Sequence, residues 1–367
     1  MTFNISRRTA LKTAAAAGAL SVAGMPALAA PKHGGTYRLG LTGGNTSDTW
    51  DSRTHSDAYM INMGHGCVFE CLTEVSAEGE LVGELATSWE ASADAKVWTF
   101  DLRKGVKFHN GKTFGADDVI ASMNMHVEED ASSAAKPIVA NVAEMKKLSD
   151  HQVQFILKNG SADFPYLVSD YHICIFPAGQ IAEAIANGIG TGPYKVVSFE
   201  PGVRTLATKF EEHWDADNRG YFAEVEGIYI GDASTRLNAL MTSQVDAINR
   251  VELKSVKLLK NFVNVDILDV TGNQHYTFPM LVGNAPFDNP DFRRALKWAC
   301  NRQEMVDKIL QGYGAVANDH PIGPANQYQA SDLPQTEYDP DKAAFYMKKS
   351  GLGNVTIDLS VAEAAFT

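Results

Sequence analysis

Three residues near the start of the chain have types and spacing that could bind a metal ion. His65, Cys67 and Cys71 lie close together, and a helix beginning near Asp57 would place the two cysteines four residues apart on one face. Both cysteines stand among apolar residues, where a free cysteine usually packs as a small buried side chain. The pattern therefore favours buried packing residues, and the sequence predicts neither a metal nor a cofactor.

Nucleophile and nucleotide motifs are weak. Ser133 and Lys136 fit the Ser-x-x-Lys spacing of penicillin-recognising enzymes, but the companion motifs are missing, as are the nucleophile elbow, the zinc-protease motif and the phosphate loop. The glycines at 188, 190 and 192 precede Pro193 and an apolar strand, where a dinucleotide site needs a helix N-terminus. The sequence predicts no enzyme, with a secreted hydrolase as the alternative from another class and a folding or signalling factor as a third.

Two segments are predicted to cross between lobes. The first is GTGPYK at residues 190–195, in which Gly190 and Gly192 permit unusual backbone angles and Pro193 fixes a turn before a strand. The second is NAPFD at residues 284–288, whose proline breaks regular structure before a helix. We therefore expect Gly190, Gly192 and Pro193 to form a hinge.

Strands and helices are predicted to alternate along the chain, and these elements would position the residues described above. Strands are predicted where apolar residues alternate at 37–41, 98–102 and 153–157, and also at 194–199 and 355–359. Helices are predicted at 116–125, 179–187, 234–243, 290–301, 302–311 and 339–350.

A series of ordered motifs connects the chain to a known family. The runs are LATSW at 85–89, WTFDLRKGVKFHNGK at 98–112, ADDV at 116–119, HW at 213–214, VD at 245–246 and YDPDKA at 338–343. In order and spacing the chain resembles the family 5 extracytoplasmic solute-binding proteins, the peptide- and nickel-binding subunits of ABC importers. It departs from them at Ser243-Gln244, where a glycine-acid pair is usual, and in extra residues at 218–222.

The resemblance implies an α/β fold of the periplasmic binding protein type II-like class, a large two-lobe trap with an extra inserted domain. Lobe I would comprise residues 30–57 and 188–279, the inserted lobe II residues 58–187, and lobe III residues 280–367. Family members continue beyond the length seen here, so the resemblance implies that lobe III is incomplete at the C-terminus.

Ligand would lie between lobes I and III. The expected ligand-binding residues are Asn45, Thr46, Trp50 and Asp51 after the first strand, and His275, Tyr276 and Asn284 beside the second crossing. Structural alternatives remain open, because Trp50 could be a packing residue and Asn45 or Asp51 could cap a turn. Arg293 and Arg294 stand beside acidic residues and are interpreted as ion pairs.

The N-terminal segment indicates export. Arg7 and Arg8 precede a mildly apolar run and the small residues at 27–29, so residues 1–29 are interpreted as a twin-arginine-type signal peptide, with an ordinary Sec signal as the alternative. The run is too short to span a bilayer, and no cysteine follows it to carry a lipid. We therefore expect a soluble periplasmic protein without a lipid anchor, which the twin-arginine translocase exports.

Charge and composition fit a soluble binding protein. The 367 residues are 45% hydrophobic with a formal charge of −12, which becomes −15 when the three basic residues of 1–29 are removed. An acidic surface disfavours nucleic acid as a partner. The expected function is a monomeric receptor that delivers a short peptide or related amino-acid-derived solute to ABC permease subunits. The alternatives are a nickel chelate or an opine, and the pairing of the four cysteines stays open.

Overall fold

The computed structural model describes residues 32–269, 275–323 and 329–360. The interpreted signal peptide therefore lies outside the described residues. Within them, no helix is long and apolar enough to cross a membrane. The strands are β1 (Thr36–Leu41), β2 (Thr73–Val75), β3 (Leu81–Gly83), β4 (Ala86–Ala91), β5 (Val97–Leu102), β6 (Val142–Ser149), β7 (Gln152–Leu157), β8 (Tyr194–Glu200), β9 (Arg204–Lys209), β10 (Glu224–Tyr229) and β11 (Ala247–Ile248).

The helices connect these strands and continue beyond them. They span Ala58–Met63, Ala116–Asn124, Lys136–Val139, Phe164–Leu167, Ile181–Asn187, Ala233–Met241, Leu253–Leu259, Pro290–Ala299, Arg302–Lys308 and Pro340–Lys349, and Ser52–Thr54 and Gly64–Val68 form single turns of 3-10 and π type. All six predicted helices are present, with ends shifted by a few residues.

A five-stranded sheet joins residues distant in sequence. Its order is β11-β1-β10-β9-β8, with β1 parallel to both β10 and β11 and the other pairs antiparallel. The helix Ala58–Met63 packs on this sheet, where the Tyr59 hydroxyl lies 2.9 Å from the Thr205 hydroxyl and donates to the Gly227 carbonyl at 3.2 Å. The sheet combines segments assigned to lobe I, whose boundaries stay a prediction.

A four-stranded antiparallel sheet, of order β4-β5-β7-β6, contains the second large core. The predicted alternation is confirmed, because Phe100 and Leu102 on β5 and Val153 and Phe155 on β7 are buried on one face. Aromatic rings meet there edge to face, as between Phe100 and Phe155 with centroids 5.6 Å apart. This core lies within residues 72–175.

In the described residues from 275 onward, the regular secondary structure is helical. The helices Pro290–Ala299 and Pro340–Lys349 pack against each other, and the Asn289 amide donates to the Ser350 carbonyl at 2.9 Å. The strand predicted at 355–359 is wrong, since these residues form no regular secondary structure. A strand needs a hydrogen-bonded neighbour, and no described strand pairs with this segment.

Candidate functional site

The carboxyl ends of three parallel strands meet at one edge of the five-stranded sheet. Thr42 follows β1 and Asn249 follows β11, and the Thr42 backbone N–H donates to the Asn249 side-chain oxygen at 3.0 Å. Arg236, 3% exposed, donates to the carbonyl of Ile230 after β10 at 2.7 Å and to that of Asn249 at 3.3 Å. Ligands of open α/β sheets characteristically bind at such an edge.

The loop of residues 42–51 leaves this edge and is held by close packing. A side chain at Gly43, whose φ is +91°, would place its Cβ 2.6 Å from the Asp57 Cβ. The Asn45 side-chain oxygen accepts from the Ser47 backbone N–H at 3.0 Å, and the Asp48 carboxylate accepts from the Asn45 N–H at 2.8 Å. Asn45 therefore caps a turn, while it and Thr46 stay exposed to solvent. Their ligand-binding role stays a prediction.

Trp50 and Asp51 end the loop in different surroundings. Trp50 is 1% exposed and packs on Phe199, with ring centroids 4.8 Å apart. The Asp51 carboxylate accepts from the Arg53 guanidinium at 2.7 Å and from the Arg53 backbone N–H at 3.2 Å, which caps the turn that follows. Both positions thus have structural roles, and ligand contact at either stays a prediction.

The chain approaches the backbone of residues 67–68 where it enters the first of the two predicted crossings. Residues 188–193 of this region are called the crossing segment below. Gly188 has φ +65° and ends the helix Ile181–Asn187. Gly190 and Gly192 lie outside the left-handed region, so the predicted reason for these two glycines is wrong. A Cβ would stand 2.0 Å from the Val68 carbonyl oxygen at Gly190 and 2.4 Å from the Cys67 oxygen at Gly192. Close backbone approach therefore requires glycine at both positions.

His109 joins lobe II residues to the crossing segment. Its Nε2 donates to the Gly192 carbonyl at 2.9 Å, and its Nδ1 accepts from the Gly190 N–H at 3.3 Å. Burial lowers the pKa of His109 to about 4, so the ring is neutral at pH 7. Pro193 follows, and its carbonyl accepts from the Phe210 N–H at 2.8 Å. The assignment of residues 190–193 as a hinge stays a prediction.

The remaining predicted ligand residues lie on the segment after residue 274. His275, Tyr276 and Asn284 are exposed, and Asn284 is part of a turn in which its carbonyl accepts from the Asp288 N–H at 3.0 Å. Nearby, Arg294 pairs with Asp291 at 2.9 Å, which confirms the ion-pair interpretation, whereas Arg293 donates to the carbonyls of residues 287 and 288.

Ser133 has a histidine neighbour that the sequence did not indicate. The Ser133 hydroxyl lies 2.6 Å from the His126 Nδ1, but the buried His126 Nε2 has no hydrogen-bond partner in the described part of the chain. Burial lowers the pKa of His126 to about 4. A catalytic triad needs a third group to orient the base, so the geometry is not that of an activated nucleophile.

Sequence reasoning missed Asn249, Arg236 and Glu84. Asn249 and Arg236 bind the strand ends, and Glu84 lies beside His65 and Cys71 as the third member of a group able to hold a metal ion. The signal for Arg236 was available, since a lone arginine on the inward side of the predicted 234–243 helix needs buried acceptors. Glu84 carried no such signal, because its partners are remote in sequence.

Three comparisons identify similar proteins. The chain is 27% identical to the di/tripeptide-binding protein 1 of Pseudomonas aeruginosa (strain UCBPP-PA14), which aligns over 79% of this chain and 58% of that protein. It is 28% identical to the nickel-binding periplasmic protein of Escherichia coli (strain K12), over 77% of this chain and 56% of that protein. The chain thus spans little more than half the length of these relatives.

The fold also has close counterparts among solved structures. The periplasmic binding protein DppA from Helicobacter pylori, in complex with the peptide STSA, superposes with a TM-score of 0.70 over 88% of this chain and 67% of that one. At 21% identity this likeness concerns the fold, which is that of the type II-like periplasmic binding proteins.

A family profile covers most of the chain. Residues 80–365 match the profile described as bacterial extracellular solute-binding proteins, family 5 middle. The matched range contains most of the motifs on which the resemblance rested, including LATSW at 85–89 and YDPDKA at 338–343. The chain therefore belongs to the family 5 bacterial extracellular solute-binding proteins.

Proposed function

We propose that this chain is a periplasmic solute-binding receptor that delivers a short peptide or related amino-acid-derived solute to the permease subunits of an ABC importer. The family match over residues 80–365 is the observation that carries the proposal. Relatives named as binding di- and tripeptides support the peptide class, and the nickel-binding relative supports a nickel chelate as the alternative. An acidic surface favours approach of a cationic or zwitterionic solute.

The proposed ligand surface combines two regions. One is the loop of residues 42–51 at the carboxyl edge of the parallel strands, and the other is the segment that carries His275, Tyr276 and Asn284. In a two-lobe trap, closure brings a second lobe onto such an edge and buries the solute against aromatic and polar groups. Asn45 and Thr46 are exposed to solvent on the first region, and Tyr276 is half-exposed on the second.

Calorimetric titration tests the ligand class and the surface together. Ligand-stripped protein is titrated with di- to pentapeptide pools and, separately, with nickel plus histidine. We expect peptide binding that Tyr276→Ala weakens by roughly tenfold, the effect of losing one well-packed aromatic contact. Tyr338→Ala is the matched control, because Tyr338 is 50% exposed and Tyr276 49%.

Each outcome of that titration is informative. Binding of the nickel complex alone would replace the peptide assignment with the chelate alternative. Equal peptide affinities in Tyr276→Ala and the unsubstituted protein would remove Tyr276 from the ligand surface. If neither peptides nor the nickel complex bind, both of these ligand classes fail for this chain, and the opine alternative is titrated next.

We propose further that the protein makes and breaks no covalent bond in its solute. The family is one of solute-binding proteins, and His126 lacks an orienting partner in the described residues. Turnover of a reporter ester that is lost in Ser133→Ala would favour the hydrolase alternative.

Export and assembly complete the proposal. The paired arginines Arg7 and Arg8 support recognition by the twin-arginine translocase, and the relatives include a protein named as periplasmic. We propose that the exported receptor acts as a monomer and docks on its permease transiently.

A further inference from the structure

Beside the crossing segment lies a group of side chains that the proposed function does not use. The His65 Nε2, the Cys71 Sγ and a Glu84 carboxylate oxygen all lie within 4.8 Å of one another, and we call these three residues the His65 cluster. Cys71 is completely buried and Glu84 is 2% exposed, while the His65 side chain is 22% exposed. Imidazole, thiolate and carboxylate are the ligand types of divalent zinc and its neighbours in the first transition row.

A fourth donor stands next to the cluster. The Cys174 thiol is buried in the same hydrophobic core as the Cys71 thiol. At present both thiols donate to carbonyls, Cys71 to Asp170 at 3.4 Å and Cys174 to Tyr171 at 3.2 Å. Two thiols, one imidazole and one carboxylate would complete a tetrahedral set.

The distances allow the cluster to close on an ion. Metal–ligand bonds of about 2.0–2.3 Å place tetrahedral ligand atoms about 3.3–3.8 Å apart. The His65 Nε2 and a Glu84 oxygen are already 3.3 Å apart, and the same Glu84 oxygen is fixed by the Cys71 N–H at 2.6 Å. Because the ligand atoms of the three residues lie within 4.8 Å of one another, a shift of about 1 Å in the Cys71 Sγ would therefore suffice within the His65 cluster.

A cavity gives an ion access to the cluster. It measures about 390 Å³ and is lined by His65 and Glu84 together with Glu70, Arg219 and the backbone near Pro193. Glu70 is 1% exposed, and its Oε2 is buried without a hydrogen-bond partner. This oxygen is therefore an unsatisfied buried acceptor on the residue that precedes Cys71 in the chain.

The charges around the cavity also fit a dication. Two thiolates and one carboxylate carry three negative charges, so binding of a divalent ion would leave a net charge of −1 on the site. The Arg219 guanidinium lies 3.6 Å from Glu84 and offsets the remainder. Because cysteine binds a metal ion as the thiolate, metal binding would release the thiol protons.

We propose that His65, Cys71 and Glu84, with Cys174 as fourth ligand, form a resident site for a divalent transition metal of the zinc type. The site would connect the π turn Gly64–Val68, the segment before β4 and the segment near residue 174, directly behind the crossing segment. It is separate from the proposed solute surface, and it would stabilise the fold rather than carry cargo.

Cobalt(II) is the probe that tests the site. Protein purified with reductant and stripped with chelator is titrated with Co²⁺, and Zn²⁺ is then added in competition. We expect one equivalent of Co²⁺ to give a thiolate-to-cobalt charge-transfer absorption, zinc to displace it, and zinc to raise the Tm. Cys71→Ser should abolish that absorption or weaken it strongly and lower zinc affinity by tenfold or more.

Control variants separate ligation from folding. Cys67→Ser is the matched control, since Cys67 is a buried cysteine outside the cluster and should leave cobalt binding unchanged. Glu84→Gln keeps an oxygen for the Cys71 N–H, so a folded Glu84→Gln protein that shows no zinc-dependent rise in Tm would support the site even if Cys71→Ser misfolds. Native-like circular dichroism establishes folding in each case.

Several results would overturn the proposal. They are the absence of a thiolate-to-cobalt band in the unsubstituted protein and a band unchanged in Cys71→Ser. A band unchanged in Cys174→Ser would remove Cys174 as a ligand. Solute binding measured with peptide pools should be unaffected by Cys71→Ser, so failure of the metal site and failure of the receptor proposal are distinguishable.

Discussion

Single residues decide how closely the crossing segment approaches its neighbours. Gly190 and Gly192 leave room for the carbonyls of residues 67 and 68, and His109 binds both glycines through one neutral ring. Sequence reasoning located these glycines by spacing but assigned them to unusual backbone angles. The mistake has a physical origin, because the feature that requires glycine is a contact across more than a hundred residues.

Gly190→Ala tests the close approach. The new Cβ would stand 2.0 Å from the Val68 oxygen, and relief requires movement of backbone, so we expect a loss of about 2–4 kcal/mol in the free energy of unfolding. Gly66→Ala is the control, because a Cβ there meets nothing within 4 Å and the residue has no left-handed φ. Urea unfolding measures both, and equal effects of the two substitutions would show that the approach is not the constraint.

The pH dependence of stability tests the neutral state of His109. Its folded pKa of about 4 lies below the usual 6.5, so between these values the unfolded chain binds more protons and stability rises with pH. Acidification from pH 6.5 to 4 should therefore destabilise the protein. His109→Gln, which can donate to Gly192 and accept from Gly190, should lower that loss by about 1–3 kcal/mol.

Other groups titrate in the same window. His55 and His126, with pKa values lowered to about 4 by burial, act in the same direction as His109. Glu84, with a pKa that burial raises to about 7, opposes them. The difference between the unsubstituted protein and His109→Gln isolates the one residue. Parallel stability curves from pH 4 to 6.5 would contradict a neutral buried His109.

At the scale of elements, local sequence patterns predicted all six helices correctly but also predicted a strand at 355–359 that does not form. The helix Pro290–Ala299 begins at the predicted residue 290, and the structure shows that the Asn289 side-chain oxygen caps it by accepting from the Asp291 and Phe292 N–H groups at 3.0 and 3.1 Å. Such caps are encoded within a few residues. The segment 355–359 has strand-like composition, but strand pairing depends on a neighbour that the local sequence does not specify.

Asn289→Ala tests the connection between this helix and the helix Pro340–Lys349. It removes the N-cap and the hydrogen bond to the Ser350 carbonyl, so we expect a loss of about 1–2 kcal/mol and faster hydrogen exchange in residues 290–299. Asn289→Asp keeps the cap acceptor and loses only the donor to Ser350, and should cost less. Exchange as slow in Asn289→Ala as in the unsubstituted protein would contradict the assignment.

Across the whole molecule, buried polar contacts join the two sheets. The Glu70 carboxylate accepts from the His213 ring at 3.0 Å and from the Trp214 indole at 2.8 Å, and the Arg103 guanidinium lies 3.7 Å above the Trp214 ring. The His213-Trp214 pair was recognised as a family motif, but its partner could not be predicted from sequence. Burial shows that the ring N–H groups of this pair need hydrogen-bond acceptors, whereas only the fold shows that Glu70 provides them.

The last prediction concerns the export of the whole molecule to the periplasm. Paired arginines are the feature that a twin-arginine translocase reads, so Arg7→Lys combined with Arg8→Lys should leave the precursor in the cytoplasm. Arg38→Lys, outside the signal, is the control and should not change export. Immunoblots of fractionated cells measure both forms.

Because the twin-arginine route carries folded proteins, the buried Cys71 and Cys174 would be enclosed as thiols before they meet an oxidising compartment. Mature double-variant protein in the periplasm would identify a Sec signal instead, and the chain would then fold where its thiols can be oxidised.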